Sequence, residues 1–556
     1  MSLRPTPVPE IPEQTARVAR AAFPSGNLYM KMRDEFGTLF QDEPFADLFP
    51  SRGRPAEAPW RLALVTVFQF AEGLSDRQAA DAVRGRIDWK YALSMELEDS
   101  GFDGSVLCEF RARLVAHGAE DRLFETLLSH FRERGLLKAR GRQRTDSTHV
   151  LGAVSGLNRL ELLGETLRHA LNRLAEAAPE WLSSTVPAEW FDRYGRRMDN
   201  YRLPREKAER EALALTIGAD GYRLLRRVFA PDAPEGAAGE EAVGVLRRVW
   251  VQQFRIEDDR VLLRGRDDMP PGAQLIRSPY DPEVRYSVKR DMTWTGYKVH
   301  LTETCDGGAP RLITQVLTTP ATTADSDATA PIQEALSRAD RLPSEQLTDE
   351  GYTDAALLVQ SRERHGVEIV GPVARDGSWQ ASEEGGLDVT RFAVDWESQR
   401  ATCPNGKLSK PFVPTKNGRG GTFLLAAFPA AECRACGLRP QCTRSRSRGR
   451  TLYLHPRPEH EALRMARERQ KTPEFRERYA ARSGIEGTLS QGVRSFGLRR
   501  SRYVGQAKTH LQNLITATAL NFCRVMEWVA GASLAGTRTS GFVRLKACQA
   551  IQATPP

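Results

Sequence analysis

The chain lacks any run approaching the ~20 consecutive apolar residues that a membrane-spanning helix needs, so no bilayer-crossing segment is expected. Its first residues, MSLRPTPVPEIPEQ, lack the apolar core of a secretory signal, and the expectation is an intracellular, cytoplasmic protein. Cysteine is scarce, eight in 556 residues, and an intracellular chain does not carry these as a disulfide framework. Cys108, Cys305, Cys523 and Cys548 are isolated and read as core or incidental residues, whereas Cys403, Cys433, Cys436 and Cys442 fall close together. Lysine is scarce beside arginine. What is present is ordinary for a folded chain, with 40% hydrophobic and 27% charged residues, and the length predicts roughly three domains of ~150 residues. The net charge of +9 hints at a polyanionic partner, since arginine forks onto phosphate, although a GC-rich coding sequence accounts for the arginines equally well.

Pattern divides the chain. Residues 1–28 are proline-rich and read as a flexible arm. Residues 29–138 read as helical throughout: Pro59 and Trp60 open an apolar run, Ser75 and Gln78 have capping-box spacing, and Asp103 and Ser105 can cap VLCEFRARLVAHG. Short helices joined by tight turns are the grammar of a helix-turn-helix DNA-binding domain, in which Arg111 and Arg113 would lie on a polar side; a plain bundle with solvated arginines has the same pattern. Strand chemistry begins at 136–153 around Asp146, and residues 156–280 are largely helical, an insertion between strands. Strands at 295–303 and 311–317 are joined by the turn CDGGAP. A capped helix (SDATAPIQEALSRA), a short strand at 344–347 running into Asp349, a helix capped by Thr353 or Asp354, and a strand at 367–372 follow. Residues 373–457 are cysteine-rich, 458–530 return to helix, and 531–556 read as a flexible tail.

An α/β sheet in this order sets Asp146 and Asp349 at neighbouring strand ends. An acidic residue inside a strand is disfavoured unless it has work to do. The stretch from Glu474 to Arg500, read as a helix, puts Tyr479, Arg482 and Glu486 on one face. Each carboxylate alone has a structural reading, as a cap or a solvated pair, and Glu350 rivals Asp349. Taken together, three carboxylates on separate elements suit two Mg²⁺ (or Mn²⁺) ions ~4 Å apart, one activating water or a 3′ hydroxyl and one stabilising a leaving oxygen.

These residues resemble the DDE transposases of bacterial insertion sequences, in particular the IS1182 group within the IS4-like and IS5-like assemblage. TDSTHV is similar to the first-Asp motif, TGYKVHLTE and TTPATTADSD to the second and third strands with their loop, and DEGY to the second-Asp motif, which favours Asp349 over Glu350. Tyr479, Arg482 and Glu486 match a Tyr-Arg-Glu-Lys signature whose lysine falls here at Val493, with Arg494 beside it as a candidate phosphate contact. The resemblance implies an RNase H-like catalytic core of Asp146, Asp349 and Glu486 at 139–372 and 458–530, with Arg482 on a phosphate and Tyr479 on DNA near the cut. It further implies cleavage of double-stranded DNA at terminal inverted repeats and joining of the 3′ ends to target DNA by a homodimer at the nucleoid. Gly484 and Gly487 beside the glutamate would permit close approach of DNA or backbone.

Cys403, the Cys433 and Cys436 pair, and Cys442 can make a tetrahedral structural Zn²⁺ site, or remain free thiols in a loop-rich insertion. Arg444, Arg446, Arg448 and Arg450 recur at alternate positions, a solvated face or a phosphate-tracking strand, and Trp379 and Trp396 read as core residues or as stacking partners for a flipped base. The competing expectations are a catalytically inactive zinc-containing DNA-binding regulator, encouraged by Val493, and a host nuclease of the same fold.

Overall fold

The computed structural model describes residues 2–154, 156–198, 200–416 and 420–532; Cys548 and nearly all of the expected tail lie outside them. Seven helices open the chain: α1 (Glu13–Ala22), α2 (Leu28–Phe36), α3 (Pro59–Glu72), α4 (Asp76–Gly85), α5 (Ile87–Ala92), α6 (Gly104–Ala116) and α7 (Arg122–Glu133). The stretch expected as a flexible arm therefore carries a helix. No proline falls between Pro12 and Pro24, leaving residues 13–22 free to coil and to bury Thr15 and Ala19, with Thr15 Oγ1 donating to the Met95 carbonyl at 2.8 Å. The capping box of Ser75 and Gln78 forms, and Asp103 caps α6.

The central sheet contains β1 (Arg140–Leu151), β2 (Arg285–Lys289), β3 (Met292–Thr304), β4 (Ile313–Pro320), β5 (Pro343–Leu347) and β6 (Glu368–Val370). Its order is β4-β3-β1-β5-β6, with β2 pairing the first part of β3. β1, β5 and β6 are parallel, while β3 is antiparallel to β1, β2 and β4. Gly296 sits where β3 crosses β1, and a Cβ there would lie 2.1 Å from the Val150 carbonyl oxygen, so only glycine fits.

α8 (Asp325–Arg338) and α9 (Ala355–His365) connect the later strands; α10 (Arg457–Arg469), α11 (Pro473–Ala480), α12 (Gly484–Phe496) and α13 (Gln506–Val529) close the chain. α13 is buried between α3 and the sheet, so one hydrophobic core runs from Tyr29 and Phe131 through Val299 to Phe522. The N-terminal helices thus share their core with the sheet. Two segments have cores of their own: residues 160–276, entering between β1 and β2, gather around Leu163, Ile217 and Leu246, and residues 392–454 gather around Phe392, Ala426 and Leu454. Among the described residues no helix is long and apolar enough to cross a membrane.

Candidate active site

β1 and β5 run side by side as far as Arg144 and Leu347 and then part. Asp146 and Asp349 stand two residues beyond that last pair, one on each side of the opening. Crevices outside the carboxyl ends of parallel strands, where neighbouring connections diverge, are where open α/β sheets take ligands. Asp349 also caps the turn Glu350–Tyr352, accepting from Gly351 N at 3.0 Å, whereas Glu350 is exposed.

The third carboxylate comes from the C-terminal segment, which is not the single helix expected over 474–500. α11 stops at Ala480, a 3-10 turn covers Ala481–Ser483, and α12 runs only to Phe496, where Gly497 in the left-handed conformation ends it. The turn forms around Arg144. Its guanidinium donates to the Ala481 carbonyl at 2.5 Å, and a Cβ on Gly484 would lie 2.0 Å from its Nη1, so the close approach that glycine permits is to a side chain of the protein itself.

Arg482, on that turn, collects the three carboxylates. One Nη donates to Asp146 Oδ2 at 2.6 Å and lies 3.9 Å from Asp349 Oδ2; the other donates to Glu486 Oε1 at 2.9 Å. Side-chain exposure rises from 12% at Asp146 to 32% at Asp349 and 65% at Glu486, a gradient from floor to rim. Burial pushes the Asp146 carboxyl up to about 6, against the lowering effect of Arg482, so desolvation outweighs the ion pair. The buried Arg482 Nε has no hydrogen-bond partner. Tyr479 stacks on Phe475 at 5.5 Å, and burial raises its phenol.

Oxygen donors of this kind suit a hard divalent cation. The arrangement as it stands gathers them on a guanidinium: among the described residues no three Asp, Glu, His or Cys lie close enough to hold a metal. The four clustered cysteines line one small cavity of about 30 Å³, where Lys407 N approaches Cys403 Sγ at 3.4 Å and Asn405 Nδ2 approaches Cys436 Sγ at 3.6 Å. Burial raises the Cys442 thiol.

Other expected residues are placed differently. Arg111 is buried, donating to Asp76 at 2.6 Å, and Arg113 donates to the Leu48 carbonyl at 3.1 Å and covers the Phe49 ring, so neither presents a free polar face. The exposed side of their helix carries Glu109 and Ala112 instead, which hydrophobic spacing alone does not reveal. Val493 packs against the main core and Arg494 is exposed. The alternate arginines lie in the loop before the strand Thr451–Leu454 rather than in a strand; Arg444 covers Trp379 at 4.3 Å, and Trp396 meets Phe412 and His460 edge-on.

Several polar neighbours of these carboxylates do not stand out in the sequence. On the other face of β1, Ser147 Oγ donates to Asp325 Oδ1 at 3.2 Å, Lys298 Nζ donates to the same oxygen at 3.1 Å, and His300 is hydrogen-bonded to the Tyr352 hydroxyl at 2.6 Å. Behind the crevice, Glu303 is fully buried and takes Arg144, Arg524 and Thr488. Charged residues inside TGYKVHLTE carried this signal, by the same rule that singled out Asp146.

Residues 402–526 match the family model described as Transposase DDE domain, and residues 17–113 match the one described as Transposase domain (DUF772). The first match covers the four clustered cysteines and Tyr479, Arg482 and Glu486, and stops short of Asp146 and Asp349. No curated protein matches the chain. Both models describe transposase domains, which supports a transposase function and, with it, action on DNA and a divalent metal ion.

Proposed function

We propose that the protein is a DDE transposase of the IS1182 group, cutting double-stranded DNA at the terminal inverted repeats of an insertion sequence and joining the freed 3′ ends to target DNA. The observation that carries this reading is the convergence of Asp146, Asp349 and Glu486 from three separate elements onto Arg482 at the opening between β1 and β5. The strand order, with three antiparallel strands followed by two parallel ones and the first strand central, supports an RNase H-like core at 139–372 and 458–530, interrupted by a helical insertion at 156–280. The helices of 29–138 would form the DNA-binding domain and 373–457 the cysteine-rich insertion.

Asp146, Asp349 and Glu486 would hold the Mg²⁺ or Mn²⁺, two ions in the full reading, and these would supply a polarised attacking oxygen and a stabilised leaving oxygen. The chain's own part is orientation. In the first cut a water oxygen bonds to phosphorus as the P–O3′ bond breaks and the 3′ oxygen takes up a proton; in joining, that hydroxyl oxygen loses its proton and bonds to a target phosphorus as the target's own P–O3′ bond breaks, the departing 3′ oxygen taking up a proton. Arg482 would hold the phosphate once its carboxylates engage elsewhere, its unpartnered Nε being a spare donor, and Tyr479 flanks the same turn. Cys403, Cys433, Cys436 and Cys442, which line one cavity, would hold a structural Zn²⁺, to which thiol sulfur is suited. The working form would be a homodimer on DNA at the nucleoid.

The test is a Mg²⁺-dependent nicking assay on duplex DNA taken from either side of the reading frame. Wild-type protein nicks at the inverted repeat and Asp146→Ala or Glu486→Ala does not; either variant cutting at the wild-type rate refutes the assignment. The inactive-regulator reading gains nothing from the matched models.

A further inference from the structure

Beyond Arg144, one face of β1 presents Asp146 and then Thr148, about 6.8 Å apart along the strand, to the C-terminal segment. Arg482 answers Asp146. Thr148 is answered by Arg499, whose Nε donates to its Oγ1 at 2.8 Å. The backbone holding Arg499 is fixed on both sides: Leu151 N donates to its carbonyl at 2.8 Å, Ser501 N donates to the Leu151 carbonyl at 2.9 Å, and the neighbouring Arg500 carbonyl accepts from Gln512 on α13 at 2.8 Å. The segment after α12 thus continues the edge of β1 past the point where β5 has left, closing the far end of the crevice.

Arg499 differs from the arginines of the carboxylate clusters in what it lacks. Arg144, Arg478, Arg482 and Arg524 all have carboxylate partners, whereas among the described residues no carboxylate lies within ion-pair distance of Arg499 and neither Nη has a protein acceptor. It is exposed, yet one hydrogen bond and two backbone anchors hold its base. The cations nearby reinforce it: Arg499 and Lys289 both bear on His149, and Lys289 also bears on Asp146. A guanidinium fixed through Nε with both Nη groups unspent is prepared for a bidentate oxyanion, because little rotamer freedom remains to be lost on binding.

We infer that Arg499, oriented by Thr148, is a phosphate-binding residue for the DNA strand that lies in the crevice, gripping a phosphodiester next to the one presented to Asp146. This rests on the transposase reading above and names a contact within it. Thr148 is a positioning residue; Arg499 touches the substrate backbone without touching the reacting atoms.

The experiment has two arms. In the first, full-length wild type, Arg499→Ala, Arg499→Gln and Arg499→Lys are titrated onto a short fluorescent duplex of arbitrary sequence across a salt series. Losing one phosphate contact lowers the slope of log affinity against log salt by about 1 in the Ala and Gln variants, and Arg499→Lys keeps the wild-type slope. Equal slopes for Ala, Gln and wild type overturn the proposal, whether or not the protein cuts DNA. In the second arm the nicking assay on flanking DNA should show KM raised about tenfold in Arg499→Ala with kcat within about twofold, and a smaller KM rise in Thr148→Val. A kcat collapse at unchanged KM would overturn the assigned role. If wild type nicks nothing, the transposase reading fails on that arm while the salt slopes still decide Arg499. Melting curves accompany each variant, and because Ala and Gln are measured separately, misfolding of one leaves the other to decide.

Discussion

Two carboxylate–arginine clusters sit on β1 two residues apart, and they differ in one respect. Around Glu303 everything is closed: the carboxylate is fully buried, Arg144 and Arg524 lie 2.6 and 3.0 Å away, and Thr488 donates at 2.5 Å. Around Arg482 the cluster is open, with three carboxylates facing one guanidinium, one donor atom unpartnered, and Glu486 largely in solvent. The first is sealed from solvent, even Arg144 Nη2, which has no hydrogen-bond partner, lying 2.6 Å from Glu303 Oε1, and it serves to hold β1, β3, α12 and α13 together. The second has acceptors and donors to spare. Hydrogen-bonding capacity left within reach of solvent, more than the presence of charge, separates a site from a strut.

The largest effect that would break this contrast is on cleavage. Asp146→Asn and Glu486→Ala should lower nicking by at least about a hundredfold, the loss typical of removing one preorganised charged group, while leaving the urea midpoint within about 0.5 M of wild type. A Glu486→Ala protein that unfolds would place that residue with the struts. Next, Glu303→Ala should cost about 3–5 kcal/mol in urea denaturation, since it leaves Arg144 and Arg524 buried without their carboxylate. A loss below about 1 kcal/mol would show the closed cluster to be dispensable.

pH sharpens the comparison further. Asp146 has a folded pKa raised to about 6, above its unfolded value, so between about pH 4 and 6 the folded protein binds more protons than the unfolded one. Metal-free wild type should therefore gain stability as pH falls through 6, on the order of 2 kcal/mol by pH 4, and Asp146→Asn should show a flat profile there. Parallel profiles would contradict the burial argument. Gly484→Ala, which drives a Cβ into the Arg144 guanidinium, joins the two clusters: it should lose about 1–3 kcal/mol and slow nicking as well, because the turn carrying Arg482 must shift. The smallest effect is ligand-linked. Mg²⁺ at about ten times its Kd should stabilise wild type by about 1.4 kcal/mol in thermal melts, and Asp146→Asn by less.

Much of the strand and helix order was legible because each signal is local. The capping box at Ser75, the Asp103 cap and the run from β5 into Asp349 depend on residues within a turn of one another, and all three form. The C-terminal helix was misread for the same reason: the spacing of Tyr479, Arg482 and Glu486 is helical, but the 3-10 turn at 481–483 accompanies Arg144 arriving from a strand more than three hundred residues earlier. The polar side expected for Arg111 likewise disappears against Asp76 and Tyr503.

By itself, then, the sequence determined which residue types were available and where the chain would coil or extend, since propensity and capping act over a few residues. It marked Asp146, Asp349 and Glu486 as candidates. Only the tertiary structure decided which charges were spent and which left open: Glu303 closed over by two arginines, Arg482 shared among three carboxylates, and Arg499 left with none among the described residues. That distinction depends on burial and on partners far apart in the chain, and desolvation, which sets the worth of every one of these charges, exists only once the chain has folded.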